Sequence, residues 1–180
     1  MDWTKDKSWK RGQDTEHGRF LDVFSLIDPE PRAATREEQF KHIDFHTCIG
    51  TIDVKAMKRM SRGGSLQEEF MWVEFRNTSG HDGWLFGEQD WLAFEMSKGF
   101  TLVKTKHLLE LANELCDTDN FVRTAKEAIY KVYQRKHTDD VISMIRFSDL
   151  SSIPHMFIGD QVVTHVQKAD EEHLDNSVFL

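Results

Sequence analysis

The chain has 180 residues, of which 39% are hydrophobic and 30% are charged, values typical of a folded globular protein rather than a disordered one. Its formal net charge of −8 counts against a protein that coats nucleic acid non-specifically, because that function needs a broadly positive surface. No apolar run approaches the roughly 20 residues that span a bilayer, and no secretory h-region or disulfide framework is visible. We therefore expect a soluble, intracellular, cytoplasmic protein that binds neither a membrane nor a small-molecule cofactor.

Hydrophobic periodicity and turn signals predict a single domain over residues 13–160, between a flexible segment at 1–12 and a polar tail at 161–180. The predicted elements, in chain order, are a helix at about 13–26, a loop at 32–39, a β-hairpin at 42–55, a strand at 70–76, a loop at 77–87, strands at 91–95 and 100–104, helices at 106–116 and 121–134, and a strand at 141–147. This order is typical of an α+β or mixed α/β domain, in which helices flank a central mixed sheet.

The predicted hairpin carries a group of residues suited to phosphodiester hydrolysis. Eight residues separate Asp44 from the sequence Asp53-Val54-Lys55. Because strand side chains alternate, Asp53 and Lys55 share one face, and the hairpin returns Asp44 beside them. Two carboxylates and the Val54 carbonyl are ligands for a hard cation such as Mg²⁺, and the ammonium stabilises charge on a phosphate. An exposed cross-strand ion pair with no function is the alternative.

The strand contexts Ile43-Asp44-Phe45 and Ile52-Asp53-Val54-Lys55 resemble the PD-(D/E)XK nuclease superfamily, whose signature is an acid on one strand and an acid-x-Lys on the next. The resemblance covers about residues 13–116. Gly12-Gln-Asp-Thr-Glu16, which opens a helix, also resembles the first helix of Holliday-junction-resolvase-like and phage members, where a glutamate often faces the metal site. The resemblance implies a restriction-endonuclease-like fold, Mg²⁺ or Mn²⁺ as cofactor, and four catalytic residues, Glu16, Asp44, Asp53 and Lys55.

The sequence departs from the superfamily pattern in two respects and offers a second alignment. The residue before Asp44 is isoleucine rather than proline, and the second acid is aspartate rather than the commoner glutamate. The next strand carries another acid-x-base pair, Glu74-Phe75-Arg76, which aligns if Asp53 is the first acid. We prefer Lys55, because arginine does not release its proton. Glu74 then either binds a second metal ion or pairs with a neighbouring base.

Three basic residues that follow the hairpin, Lys58, Arg59 and Arg62, are candidate contacts for the DNA backbone, and the alternative is a solvated surface. Trp84 ends a glycine-containing loop. It either stacks on a DNA base or caps the hydrophobic core.

These observations predict a metal-dependent DNA endonuclease, associated with a phage or mobile element and so with a virus-infected host cell. Small size favours a homodimer with two sites on one DNA. A non-catalytic DNA- or protein-binding module that keeps the nuclease fold is the alternative. An unrelated α+β regulatory protein is the third possibility, and it should not bind magnesium.

Overall fold

A computed structural model describes residues 7–59, 64–159 and 162–166 of the chain, with side chains described for 16–59, 64–159, 163 and 164. Its three α-helices within these ranges are α1 (Lys7–Phe24), α2 (Arg36–Gln39) and α3 (Thr105–Leu115). Helix α1 begins six residues earlier than the predicted start at residue 13. A capping box between Thr35 and Glu38 stabilises the start of α2, which lies in the predicted loop at 32–39. No helix in the described ranges is both long and apolar enough to cross a bilayer.

The strands of the described residues form two sheets, both of which contain parallel and antiparallel neighbours. The larger sheet has the order β1-β2-β3-β5-β6-β10-β11, and only the pair β3 and β5 is parallel. The smaller sheet has the order β4-β9-β8-β7, and only β7 and β8 are parallel. The strand bounds are β1 Arg32–Ala33, β2 Phe45–Thr47, β3 Gly50–Lys55, β4 Phe70–Arg76, β5 Trp91–Met96, β6 Gly99–Lys104, β7 Asp117–Val122, β8 Lys131–Tyr133, β9 Val141–Arg146, β10 His155–Gly159 and β11 Val162–Val166.

Each face of the larger sheet is covered by its own hydrophobic cluster. Helix α1 packs Phe20 and Phe24 against Ile52 and Val54 of β3. The opposite face packs against β4, β9 and α3, in a second cluster that includes Leu92 of the central strand β5. Strand β3 therefore lies between α1 on one side and the smaller sheet on the other.

The predicted helix at 121–134 is wrong. Strand β7 occupies its first residues, a 3₁₀ turn follows at Ala125–Glu127, and strand β8 occupies its last part. Val132 is fully buried in β8, and β8 pairs with both β7 and β9, contacts that the local helical pattern of this segment does not reveal. Part of the predicted polar tail is likewise ordered, because residues 162–166 form β11 against β10.

The predicted α+β class is confirmed in a coarse form: the protein has two mixed sheets and few helices. The strands at 70–76, 91–95, 100–104 and 141–147 and the helix at 106–116 are confirmed to within about two residues, and the hairpin is confirmed with a first strand that begins at Phe45, three residues later than predicted. The specifically restriction-endonuclease-like arrangement stays a prediction.

The packing of α1 predicts that Phe24→Ala strongly destabilises the fold. Phe24 is fully buried and stacks on Phe20 with ring centroids 4.9 Å apart, and loss of such a side chain costs about 3–5 kcal/mol in free energy of unfolding. Urea denaturation followed by circular dichroism measures the change. Phe40 is 75% exposed, so Phe40→Ala is the matched control and should lie within about 0.5 kcal/mol of the parent. Equal effects of the two substitutions would contradict the packing described.

Candidate active site

Strand β3 is longer than β2, and the carboxylate of Asp44 covers the edge that β2 leaves open. The last strand pair joins Phe45 to Ile52. One residue earlier in the chain, the backbone N–H of Asp44 donates to the Ile52 carbonyl at 2.8 Å. Its side-chain Oδ2 then accepts a hydrogen bond from the Val54 N–H at 2.8 Å. The predicted cross-strand position of Asp44 beside Asp53 and Lys55 is therefore what the structure shows.

Asp53 is buried, and Lys55 lies against it. Asp53 is only 4% exposed, and Lys55 Nζ lies 2.6 Å from its Oδ2. This contact is an ion pair by distance, but its direction does not meet hydrogen-bond geometry, and Oδ2 makes no hydrogen bond within the described part of the chain. The same Nζ lies 4.9 Å from the centre of the Trp84 ring. Lys55 is thus held between a carboxylate and an aromatic face.

The pKa values of the two aspartates shift in opposite directions. Burial raises the pKa of Asp53 to about 7; the charge of Lys55 opposes this, and the charge of Asp44 adds to it. Burial also acts to raise the pKa of Asp44, but the contact with His17 and the hydrogen bond from the Val54 N–H outweigh it and lower the pKa. The two carboxylates are close enough to influence each other's titration, and a proton bound near neutral pH resides on Asp53 rather than on Asp44.

Helix α1 contributes Glu16 and His17 to the same place. Burial raises the pKa of Glu16; the charge of Lys58 opposes the shift, while Asp44 is among the acids that add to it. His17 Nε2 lies 3.4 Å from Asp44 Oδ2. The contact with Asp44 raises the pKa of His17 despite its burial. Glu16 therefore lies within electrostatic range of the cluster, and its catalytic role stays a prediction. His17 was not predicted, because no local pattern connects it with Asp44.

Glu74 approaches the cluster from β4 in the smaller sheet. Burial raises its pKa, and the charge of Lys55 and a hydrogen bond from the Trp84 backbone N–H oppose the shift. A Cβ on Gly83 would collide with the Glu74 carbonyl oxygen, so glycine is needed where this loop residue approaches the backbone of β4. Arg76 is exposed and follows a register shift in β4. The structure therefore brings Lys55, rather than Arg76, to the acids.

The predicted nucleic-acid contacts have different outcomes. Lys58 is exposed and acts on Glu16 through its charge. Arg59 is exposed, and its guanidinium donates to the Gly64 carbonyl, whereas Arg62 lies outside the described residues. The expectation that Trp84 stacks on DNA is wrong for this structure, because the ring is only 8% exposed and belongs to the hydrophobic core.

Two histidines close to Asp44 in the sequence differ in their roles. His42 adopts a positive φ of 63°, and burial followed by the charge of Lys55 lowers its pKa. It therefore lies at the margin of the cluster. His46 pairs with Glu38 Oε1 at 2.8 Å and does not join the cluster.

The cluster fits a divalent cation that keeps much of its own water. Asp44 and Asp53 present neighbouring carboxylates, and Oδ2 of Asp53, which Lys55 Nζ contacts at 2.6 Å, is buried without a hydrogen bond among the described residues. In the ranges that the structure describes, no three His, Cys, Asp or Glu side chains are grouped as a complete metal centre. Mg²⁺ is commonly held by one or two carboxylates together with water and substrate phosphate. The two neighbouring aspartates match this number of protein ligands.

No family model matches the chain, and no curated protein or solved structure similar to it was found. Its function is therefore inferred from the geometry of the site.

The buried position of Asp53 predicts a pH-dependent stability that Asp53→Asn removes. The pKa of this carboxyl rises from 3.8 to about 7 on folding, so the folded state binds its proton more tightly. The stabilising contribution of protonated Asp53 is present at low pH and is lost as pH rises through the window from about 4 to 7. In EDTA, the free energy of unfolding of the parent should therefore fall relative to that of the Asn variant between pH 5 and pH 8.

Chemical denaturation at several pH values measures this difference. Glu16 and Glu74 are present in both proteins, so their own titrations largely cancel. Parallel pH curves for the parent and the variant would contradict the raised pKa of Asp53.

Proposed function

We propose that this protein is a Mg²⁺-dependent DNA endonuclease of the PD-(D/E)XK type, with Mn²⁺ as an alternative ion. One observation carries the proposal. Side chains from three separate segments lie close together: they shift one another's pKa values, and one pair forms an ion pair. These side chains are Glu16, Asp44, Asp53 and Lys55. These are the residues for which the sequence resemblance implies catalysis.

Each residue has a distinct role in this proposal. Asp44 and Asp53 hold the ion through oxygen atoms, and the Val54 carbonyl and Glu74 are candidates for further ligation. A bound Mg²⁺ supplies Lewis-acid polarisation of the scissile phosphate. Lys55 Nζ, already positioned 2.6 Å from Asp53 Oδ2, stabilises negative charge that grows on the phosphate in the transition state. Glu16 lies near Asp44 and would orient a water molecule on the side of the ion that faces α1.

The acidic chain needs a locally positive approach for DNA, and the residues that follow β3 provide one. Lys58 and Arg59 are exposed directly after the strand that carries Lys55. Positive charge so close to the carboxylates draws phosphate to the site, although the chain as a whole carries a net charge of −8. A homodimer would present two such sites to one duplex or branched DNA.

Asp44→Ala and Asp53→Ala are each expected to abolish cleavage of DNA and to weaken binding of Mg²⁺. Either change removes an oxygen ligand from a site with few protein ligands. The assay is incubation with supercoiled, linear and branched DNA in Mg²⁺, Mn²⁺, Ca²⁺ or EDTA, with metal binding measured by calorimetry. EDTA should stop the reaction, and Ca²⁺ should support binding better than cleavage.

Glu88→Ala is the matched control, because Glu88 is an exposed acid that pairs with Lys41 rather than with a residue of the cluster. It should keep the parental rate. Cleavage in excess chelator, or full activity of either aspartate variant, would refute the proposed site.

Lys55→Ala is expected to lower turnover by about 10²-fold or more while metal binding is retained, as for removal of a group that stabilises charge in the transition state. Lys55 ligates no cation, so its loss leaves the aspartates free to bind Mg²⁺. Arg76→Ala tests the alternative alignment, in which Asp53 and Glu74 are the acids. Single-turnover rates measure catalysis and calorimetry measures Mg²⁺ binding for both variants, and together they distinguish the two alignments. An inactive Arg76 variant together with a fully active Lys55 variant would move the site to Glu74.

A further inference from the structure

A small cavity adjoins the candidate active site on the side of Lys55. Its walls come from the end of β3 and the residues after it, from β4 and β5, and from the start of the 3₁₀ turn at Phe147–Ser152. Lys55 and Trp84 belong both to this wall and to the candidate site. Any group seated in the cavity would therefore lie next to a phosphate bound at Lys55.

The cavity has the size and walls suited to one flat ring. Its volume of about 60 Å³ is enough for roughly four to six waters, which is about the space of a single pyrimidine ring with its exocyclic atoms. Five aromatic side chains contribute to the walls: Phe70, Trp72, Trp84, Phe94 and Phe147. Lys55 already lies over the Trp84 ring and Arg146 over the Phe70 ring. The half-buried Trp72 and Phe147 are therefore the candidates for stacking, which suits any nucleobase because each base has a π-face.

The polar groups around the cavity favour a phosphorylated ligand over a neutral aromatic one. Lys55 and Lys58 stand on its wall as cations. The Gln67 amide is already engaged, since its Oε1 accepts from the Phe70 N–H and its Nε2 donates to the Phe70 carbonyl. Glu95 is likewise engaged, by Arg19 and by the Met57 N–H. Because the Gln67 and Glu95 side chains already have hydrogen-bond partners, we expect ring size and stacking, rather than hydrogen bonds, to determine which ring binds.

We propose that this cavity binds one unpaired pyrimidine base of the DNA substrate, next to the phosphate held at Lys55. The inference rests on the proposed function for its substrate class. A base inside a duplex is stacked and paired, so it reaches the cavity only when the strand is single or the base is turned out. The protein should therefore prefer single-stranded or unpaired DNA to a continuous duplex.

Binding is measured in EDTA, so that a failure of metal-dependent cleavage is distinguishable from a failure of this inference. The probes are a ten-residue oligothymidylate, an oligodeoxyadenylate of the same length, an abasic oligomer of the same length and charge, and a duplex. Intrinsic tryptophan fluorescence and anisotropy of a labelled oligomer report binding. Oligothymidylate should bind about five-fold or more tightly than the abasic oligomer, in line with the worth of base stacking on an aromatic side chain.

Two variants test the cavity itself. Trp72→Leu removes a half-buried aromatic wall, and Ala56→Leu fills the space from a half-buried position without removing a core side chain. Each should reduce oligothymidylate binding to the level of the abasic oligomer. Trp91→Leu is the matched control, because this half-buried tryptophan lies at the start of β5 and does not line the cavity; it should bind like the parent.

Thermal unfolding of Ala56→Leu shows whether the variant is folded, and Trp72→Phe replaces Trp72→Leu if the latter unfolds. The inference is overturned if the abasic oligomer or the duplex binds as tightly as oligothymidylate, if oligodeoxyadenylate binds more tightly, or if the folded Ala56→Leu variant binds like the parent. Base-dependent binding without any Mg²⁺-dependent cleavage would support the cavity and overturn the proposed function.

Discussion

The alternation of side chains along β3 is the constraint on which both the core and the candidate site depend. Ile52 and Val54 point into the cluster under α1, so Asp53 and Lys55 must point to the opposite face. Hydrogen-bonded neighbours on both sides, β2 and β5, hold the strand in one register. A shift of one residue would expose the apolar pair and bury the charged pair under α1. Packing of the core therefore determines where the charged groups lie.

This arrangement is electrostatically unfavourable, because it gathers several carboxyl groups in a partly buried region. Burial is the largest influence on the pKa of Glu16, Asp53 and Glu74, and it raises all three. Lys55 and His17 offset part of the repulsion, and the remainder is relieved by protonation. A divalent cation would relieve the same repulsion without a proton. The unfavourable charge of the free protein and the proposed affinity for Mg²⁺ therefore have one origin.

The sequence predicted the elements that local patterns determine and failed where pairing with another strand decides. The hairpin around Gly50 was predictable from period-two alternation and from a glycine at the turn, which adopts φ 124° in the structure. The position of Asp44 beside Asp53 followed from the predicted hairpin. Residues 121–134 contain good helix formers such as Ala125 and Ala128, but pairing of β8 with β9 overrides that local preference. Trp84 could not be assigned from sequence, because an aromatic residue after a glycine loop suits a core and a surface equally.

Helix α1 shows the same limit in the candidate site. Its apolar stripe predicted which face meets the sheet, and Glu16 followed from a motif resemblance. His17 was missed because its partner, Asp44, lies on another element, and only the fold brings the two within 3.4 Å. A residue that belongs to a recognisable motif, such as Glu16, is thus easier to predict than one whose partner lies on another element.

The burial of Trp84 changes its proposed role from binding DNA to placing Lys55. A lysine side chain in water moves among many rotamers and holds its charge in no single position. Here the Trp84 ring lies 4.9 Å from Nζ, and Phe94 packs on the same indole with ring centroids 6.0 Å apart. The hydrophobic cluster that joins the two sheets thereby extends to the ammonium group. Electrostatic stabilisation depends on charge held in place before the reaction begins, and the core provides that restraint.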